Sequence, residues 1–474
     1  MNFNKLSQPI DIASLAFFRI VFGAAMLIDV LNNFLSGWIY TSQIAPKMHF
    51  TYYGFGWIQP LPGWGMYVLW AVMGGLSINI MIGWRYRISA ILFAIGTVYA
   101  FLIDSADYLN HGYLMCLLSI LMIFFPANRA WSLDAKRNPA IQTDTIPYWS
   151  VFLLQFQMAV VYFYGGLAKL NPDWLQAQPI KTWLAGKGNY FLIGDIITQE
   201  WFAYFISYGG LAFDLCIVPL LVFKRTRILA LVVVIFFHIT NKILFDIGVF
   251  PILSIALTLM FFSPSWSRPY LEQWFSGNGR RLLKFDSKDT RYLKTSTSPK
   301  GNFKSLSSTT SNKKMPQWAL GIILLYCVLQ LLIPLRHHLY PNNVAWTEQG
   351  HRFSWRMMLR SKSAIAHFKG TDTKTGKTWT IHPSNYLNSK QERKMKVHPD
   401  MILQFAHYLK EEYKKNGMED VLITANIVAG LNGRPKKPFV KTTKNLAVIT
   451  ENPFKAIDWL EPFPNKKLKR FKDE

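Results

Sequence analysis

The chain has 474 residues, of which 51% are hydrophobic, 15% aromatic and only 17% charged. This composition is typical of a polytopic membrane protein with a soluble part, and it excludes an ordinary soluble enzyme. The formal net charge of +25 lies mostly beyond Arg268, and in a membrane protein a basic excess indicates topology and lipid headgroups first. No RNA- or DNA-binding motif accompanies it, so membrane lipid is an expected partner and nucleic acid is not.

Nine apolar segments follow one another along the chain and predict about eight to nine transmembrane helices. Several are shorter than the ~20 residues that an upright helix needs to cross a bilayer. The third and fourth segments, and the seventh and eighth, are therefore expected to form tight helical hairpins or to be partly re-entrant. The segments are roughly 13–32, 64–82, 88–104, 111–126, 148–169, 203–222, 228–245, 247–263 and 317–335.

The distribution of Lys and Arg indicates the orientation in the membrane. Every second loop is basic, as is the long segment 264–316. These loops and the N-terminus are expected to be cytoplasmic, and the chain from about 336 onward periplasmic or otherwise extracytoplasmic. The first apolar run contains Arg19 and Asp29 and lacks a small-residue cleavage site. It is interpreted as the first transmembrane helix and not as a cleaved signal.

Four regions are expected from this pattern. Residues 1–265 form a transmembrane helical bundle with the active site, and 266–316 a basic cytoplasmic linker. Residues 317–335 form the last transmembrane helix, and 336–474 a mostly β, soluble extracytoplasmic domain.

Within the last region, alternating runs predict strands. AIAHFKG and TWTIHP flank the polar turn TDTKTGK, which is a hairpin signal. VLITANIVAGLNGRPKKPFVK and LAVIT are predicted as further strands. Residues 398–416 have helical spacing, with an apolar face made by Met401, Ile402, Phe405 and Leu409.

Lys169 is the only charged residue in the apolar stretch 148–170. A lysine near the end of a membrane helix most often extends its stem to the headgroups. The alternative is a functional amine, because burial favours the neutral form and a neutral amine is a base.

Four further polar residues are expected at the same depth as Lys169. The basic loops place Asn110, His111, His238 and Asn241 near the outer leaflet, below the soluble domain. Each histidine alone is most simply explained by an interfacial or bundle-internal hydrogen bond. The position of all five residues at one depth favours a functional site.

No metal site is predicted. His337 and His338 are adjacent and do not share a helix face, and HExxH, Walker and GxGxxG signatures are missing from the sequence. The three cysteines, Cys116, Cys216 and Cys327, lie in apolar segments without CxxC spacing and predict no disulfide framework.

At these residues the sequence resembles the vitamin K-dependent gamma-glutamyl carboxylase family, in the same order over nearly the whole chain. Each motif alone has modest specificity. Their occurrence in the same order over two very different regions makes the resemblance strong. The matching stretches are PIDIASLAFFRIVFG, GWRYRISAILF, YLNHGYL, YFYGGLAKLNPDW, FFHITNKILFDIGVF and NVAWTEQGHRFSWRMMLRSKS.

The resemblance implies a role for each matching residue. Lys169 falls on the family's catalytic lysine, with Asn110 and His111 as further catalytic residues. The last stretch is tied in the family to handling the glutamate substrate. The remaining assignments are His238, Asn241 and Tyr113 to cofactor binding, and Trp355 and Arg360 to the substrate.

The family's chemistry explains why an amine is needed. The lysine deprotonates vitamin K hydroquinone, the anion reacts with O2, and the resulting alkoxide removes a γ-proton from glutamate. CO2 then traps the carbanion, and the quinol ends as its epoxide. The implied cofactors are a reduced vitamin K (phylloquinol or menaquinol), O2 and CO2, without a metal. The implied substrate is a glutamate-containing peptide or protein.

The sequence also departs from the animal members. Their disulfide between the membrane and soluble parts has no counterpart here, and Arg356 and Arg360 stand where an acid and a histidine are expected. A bacterial member that uses menaquinol is expected. The alternatives are a quinol epoxidase without protein carboxylation, a noncatalytic quinone- or lipid-binding protein that docks a partner, and a transporter with Lys169 and Asp29 as relays.

Overall fold

The computed structural model describes residues 3–189, 194–245, 248–276 and 315–464. Each of the nine predicted apolar segments contains a helix. Six of these helices, α1, α2, α5, α6, α7 and α10, are long and apolar enough to cross a membrane, and α3, α4 and α8 are shorter. The helices are α1 Ala13–Leu35, α2 Gly65–Ile82, α3 Tyr86–Leu102, α4 Asn110–Phe124, α5 Trp149–Lys169, α6 Glu200–Val222, α7 Arg227–Leu244, α8 Phe250–Leu259, α9 Arg268–Ser276, α10 Gln317–Leu332, α11 Ser389–Met395 and α12 Pro399–Lys415.

Short turns connect these helices. Helical turns of the α type are Leu133–Arg137, Pro172–Leu175, Ile180–Ala185, Gly194–Ile197 and Val344–Thr347, with a π turn at Ile39–Ile44. Turns of the 3-10 type are Phe3–Ser7, Ser105–Asp107, Pro139–Ile141, Ile333–Leu339, Pro383–Asn385 and Leu446–Val448. Most of the predicted linker, 277–314, and the basic tail from 465 lie outside the described residues.

The helices of the two predicted hairpins pack against each other, α3 against α4 and α7 against α8. Arg19, the unexpected charge in α1, is fully buried. Its guanidinium donates to the carbonyls of Ala127, Ala130 and Trp131 at 2.8, 3.3 and 2.6 Å. Arg19 therefore fixes the loop after α4 to the bundle through its two terminal nitrogens, while its Nε has no hydrogen-bond partner among the described residues.

The C-terminal domain is built on one antiparallel sheet in the order β4-β3-β5-β6. The predicted hairpin is confirmed, because β3 and β4 pair across the turn 373–377. The predicted helix is α12, and its four apolar residues are all buried. The strands are β1 Pro9–Asp11, β2 Thr145–Pro147, β3 Lys362–Asp372, β4 Thr378–Ile381, β5 Val421–Leu431 and β6 Lys437–Pro438, with β1 and β2 paired separately beside the bundle.

The prediction of a strand at LAVIT is wrong. Leu446–Val448 form a 3-10 turn. The side chain of Asn445 accepts hydrogen bonds from the backbone N–H groups of Ala447 and Ile423, both at 3.1 Å. A local side-chain acceptor of this kind competes with strand pairing, and the alternating pattern of the segment does not reveal it.

Ionic contacts join the C-terminal domain to the helical bundle. Asp173, just beyond α5, accepts two hydrogen bonds from the Arg434 guanidinium at 2.6 and 2.7 Å, and one from the Asn432 amide at 2.7 Å. We call these three residues the ionic clamp. Elsewhere in the interface, Lys390 of the C-terminal domain pairs with Asp107 of the bundle. The domain is thus held over the end of the bundle where Lys169 lies.

Candidate active site

Lys169 is the last residue of α5, and its side chain is turned into the bundle. Its Nζ lies 2.5 Å from Oδ2 of Asp214 on α6 and 3.3 Å from the carbonyl oxygen of Gly165. The two charged side chains are only 8% and 5% exposed. The interpretation of Lys169 as a snorkelling lysine is therefore wrong. The ammonium's burial is compensated by a carboxylate, as a buried charge requires.

Two glycines allow this pair to form. A Cβ on Gly165 would lie 2.9 Å from Oδ2 of Asp214 and 3.3 Å from the methyl carbon of Met357. A Cβ on Gly166 would lie 2.6 Å from the Leu215 side chain. The sequence Gly-Gly therefore lets α5 and α6 approach closely beside the carboxylate, which is a common use of glycine in membrane helices.

Replacing Gly165 by alanine is expected to displace the Asp214 carboxylate. Because small misplacements of a reacting group are costly, we expect catalytic turnover to fall on the order of tenfold to a hundredfold. Gly209→Ala on α6 is the matched control, since no atom lies within 4 Å of a Cβ there. Quinol epoxidation by the two purified variants is the measurement. Equal, undiminished turnover in both would show that this close approach is unimportant.

A second polar group lies deeper in the bundle. His238 on α7 is 1% exposed, and its Nε2 is 3.0 Å from the hydroxyl of Tyr162 on α5. Its Nδ1 is buried and has no hydrogen-bond partner among the described residues. The Phe250 ring lies 5.7 Å from the His238 ring and 5.9 Å from the His111 ring, between centroids. Phe250 therefore lies beside both histidines.

A segment of the C-terminal domain reaches down to Asn110. The backbone N–H of Phe353 donates to the hydroxyl of Tyr108 at 2.5 Å, and that hydroxyl donates to Oδ1 of Asn110 at 3.0 Å. The amide of Asn110 donates in turn to the carbonyl oxygen of Arg356 at 3.3 Å. Asn110 is thus held at one end of its amide by Tyr108, which Phe353 contacts, and at the other end by Arg356.

The same segment carries backbone strain. Phe353, Trp355 and Met358 have φ values of 61°, 53° and 54°, in the left-handed region that side chains other than glycine seldom adopt. Trp355 is 1% exposed and packs its ring 5.0 Å from that of Tyr113, and its indole nitrogen has no hydrogen-bond partner among the described residues. Strain of this kind clusters at functional sites.

Arg360 follows this strained segment in the chain and belongs to a different set of contacts. Its guanidinium lies 2.7 Å from Oε2 of Glu348, and the Lys362 ammonium lies 3.6 Å from the other carboxylate oxygen. Glu348, His351 and His398 place potential metal-ligand atoms within 4.8 Å of one another. Because two cations already hold the carboxylate, the group is better described as a buried ion cluster. Burial lowers the pKa of Lys362 to about 8.

Six of the eight predicted site residues belong to one continuous set of contacts. Met357, packed against Gly165, links the lysine pair to the strained segment. Asn241 lies one turn beyond His238 without a side-chain hydrogen bond to this set, and Arg360 belongs to the ion cluster. The six residues are Lys169, Asn110, His111, Tyr113, His238 and Trp355.

Sequence reasoning missed Asp214, Tyr162 and Met357. Asp214 carried a usable signal, because it is the only charged residue in the apolar segment 203–222 and an acid inside a membrane helix is a functional candidate by default. Tyr162 and Met357 carried no such signal in the sequence, because their importance follows from which side chains they face.

Two family models match the chain. The HTTM domain matches residues 7–266, and the lumenal domain of vitamin K-dependent gamma-carboxylase matches residues 315–466. No solved structure matches. The first match covers the helical bundle with the Lys169–Asp214 pair, and the second covers the C-terminal domain with the strained segment. The chain belongs to the HTTM-domain family and, through both matches together, to the vitamin K-dependent gamma-glutamyl carboxylase family.

Proposed function

We propose that this membrane protein carboxylates glutamate side chains at the expense of a vitamin K-type quinol, with Lys169 as the base that acts on the quinol. The observation that supports this most is the buried Lys169–Asp214 pair, at the end of the bundle that the C-terminal domain covers. A lipid-soluble quinol reaches such a site from the bilayer, and a peptide reaches it from the aqueous side.

Asp214 gives the lysine a way to become neutral. The ammonium can pass a proton along the 2.5 Å hydrogen bond to the carboxylate, which leaves an amine beside a carboxylic acid. At a buried position this neutral pair avoids the desolvation of two charges. The amine then accepts a proton from a quinol hydroxyl, as a general base does.

The residues around the pair fit a quinol. Nδ1 of His238 and the indole nitrogen of Trp355 are buried, have no hydrogen-bond partner in the described part of the chain, and would be satisfied by a ligand oxygen. Tyr113 and Phe250 supply aromatic walls, as ligand pockets typically do. The bound quinol supplies the O2-dependent chemistry that generates a base strong enough for a glutamate γ-carbon.

Asn110 and His111 begin α4 at the same end of the bundle. The amide of Asn110 is held by Tyr108 and Arg356, so its orientation is fixed before any ligand arrives. We assign these two residues to stabilising negative charge that develops on oxygen, where preorganised donors are most effective.

The proposed orientation places the N-terminus in the cytoplasm and the C-terminal domain outside. The match to a lumenal domain supports the second half of this assignment.

A narrower function is favoured by one observation. Arg360, assigned to the glutamate substrate, already binds the carboxylate of Glu348. An internal glutamate in that position is consistent with a quinol epoxidase that carboxylates no protein.

One assay separates these possibilities. Purified protein in lipid nanodiscs receives reduced quinone, O2, labelled CO2 and a short glutamate peptide, and epoxide and fixed label are measured separately. Formation of both products supports the carboxylase. Epoxide without fixed label supports the epoxidase. Quinol binding without O2 consumption would identify a noncatalytic quinone- or lipid-binding protein and refute both enzymatic assignments.

A further inference from the structure

An intramembrane carboxyl group lies outside the site described so far. Asp29 is on α1, six residues before the helix ends at Leu35, and the amide of Asn33 donates to its carboxylate at 3.4 Å. An acid at this depth is costly and marks a functional group by default. It makes no contact with the Lys169–Asp214 pair or with the His238–Tyr162 hydrogen bond.

Asp29 lines a cavity of about 210 Å3 between α1, α2, α3 and α4. Apolar side chains form most of the wall, and Asn33 and Thr97 add polar groups to it. Because a water molecule occupies about 30 Å3 of liquid, the cavity is large enough for several. Water held in this space, beside a carboxyl group, would provide a route for protons.

The cavity has two ends of different character. His111, on its inner wall, also faces Phe250 of the candidate active site, so one residue belongs to both. Asp107 and Lys390, which pair with each other, lie at its rim, where the C-terminal domain meets the bundle. The cavity therefore connects the neighbourhood of the active site with the domain interface.

We propose that this cavity is the proton exit of the enzyme and that Asp29 is its relay residue; the inference rests on the proposed function. In the carboxylation, quinol and O2 yield epoxide and water. Glutamate and CO2 yield the dicarboxylate and one proton, as the γ C–H bond breaks and a C–C bond forms. That proton must leave a largely apolar site, and the Asp29 carboxylate accepts it and passes it to water at the rim.

The test is kinetic. Asp29→Asn, which keeps the shape and removes the proton acceptor, is expected to lower kcat by about tenfold or more, with KM for the quinol changed less than twofold. Formate in the buffer should restore part of the rate. A raised KM with unchanged kcat would show that the cavity binds the quinol instead, and an unchanged kcat and KM would show that Asp29 relays nothing. Either result overturns the proposal.

A second variant covers the case in which Asp29→Asn does not fold. Thr97→Leu fills the cavity and leaves Asp29 in place, so it should lower kcat in the same way. Ile88→Phe is the matched control, because Ile88 is 57% exposed on the same helix and does not line the cavity. Equal rates in both variants would contradict the proposal.

A cysteine-labelling measurement, which does not depend on enzyme activity, separates this inference from the proposed function. In a variant with the three cysteines replaced by alanine, Thr97→Cys should react with a membrane-impermeant thiol reagent added on the side of the C-terminal domain. Ile88→Cys, which faces away from the cavity, should not. Unreactive Cys at position 97 would rule out an aqueous path, whether or not the protein oxidises quinols.

Discussion

Replacing Lys169 by alanine should abolish quinol epoxidation. The variant lacks the base, and the loss of a positioned general base typically costs about 10²- to 10⁴-fold in rate. A small primary amine added to the assay should restore part of the activity, because the Asp214 carboxylate and the space around it remain. Epoxide formation by the purified variant, with and without amine, is the measurement.

The same variant should also be less stable. It leaves Asp214 as an unpaired buried charge, and breaking a buried pair costs about 3–5 kcal/mol. Lys181→Ala is the control, because Lys181 pairs with a Glu200 side chain that is 61% exposed and such surface pairs contribute only about 0–1 kcal/mol. Full epoxidation by Lys169→Ala would remove this lysine from the mechanism.

Replacing Asp214 by asparagine should be almost as damaging, for a different reason. Asparagine keeps the size and the hydrogen bond but cannot accept a proton, so it removes the group that takes the proton of Lys169 in the proposed transfer. We expect turnover to fall on the order of a hundredfold. In contrast with Lys169→Ala, added amine should not help, because the lysine side chain still occupies the site. Activity close to that of the unmodified protein would show that the lysine becomes neutral without this acid.

The double variant Lys169→Leu/Asp214→Leu separates folding from catalysis. Exchanging a buried ion pair for apolar residues of similar size is often neutral or stabilising. We therefore expect its thermal unfolding temperature to return towards that of the unmodified protein while epoxidation stays absent. A stable and active double variant would refute the roles of both residues.

The sequence predicted where the helices lie in the chain better than it predicted which side chains of different helices meet. All nine apolar segments contain helices because a bilayer leaves a hydrophobic stretch few alternatives. Hydrophobicity and basic loops indicate the depth of a residue, and this was enough to group Lys169 with Asn110, His111 and His238. They do not indicate which face of one helix meets which face of another, and Asp214 was missed for that reason.

Two other features depended on contacts that no local pattern encodes. The strain at Phe353, Trp355 and Met358 exists because the C-terminal domain fixes this segment against Tyr108 and Tyr113. The turn at Leu446–Val448 replaces a predicted strand because the side chain of Asn445 accepts a hydrogen bond from the backbone N–H of Ala447.

The ionic clamp has a consequence for where this protein can mature. All three cysteines are free, so the attachment between Asp173, Asn432 and Arg434 forms as soon as the two regions have folded. It needs no thiol oxidase or disulfide isomerase, and a reducing agent leaves it intact. The attachment is thus insensitive to thiol oxidation and reduction, and because the Arg434 and Asp173 side chains are only 14% and 15% exposed, salt weakens it less than it weakens an ion pair on the surface.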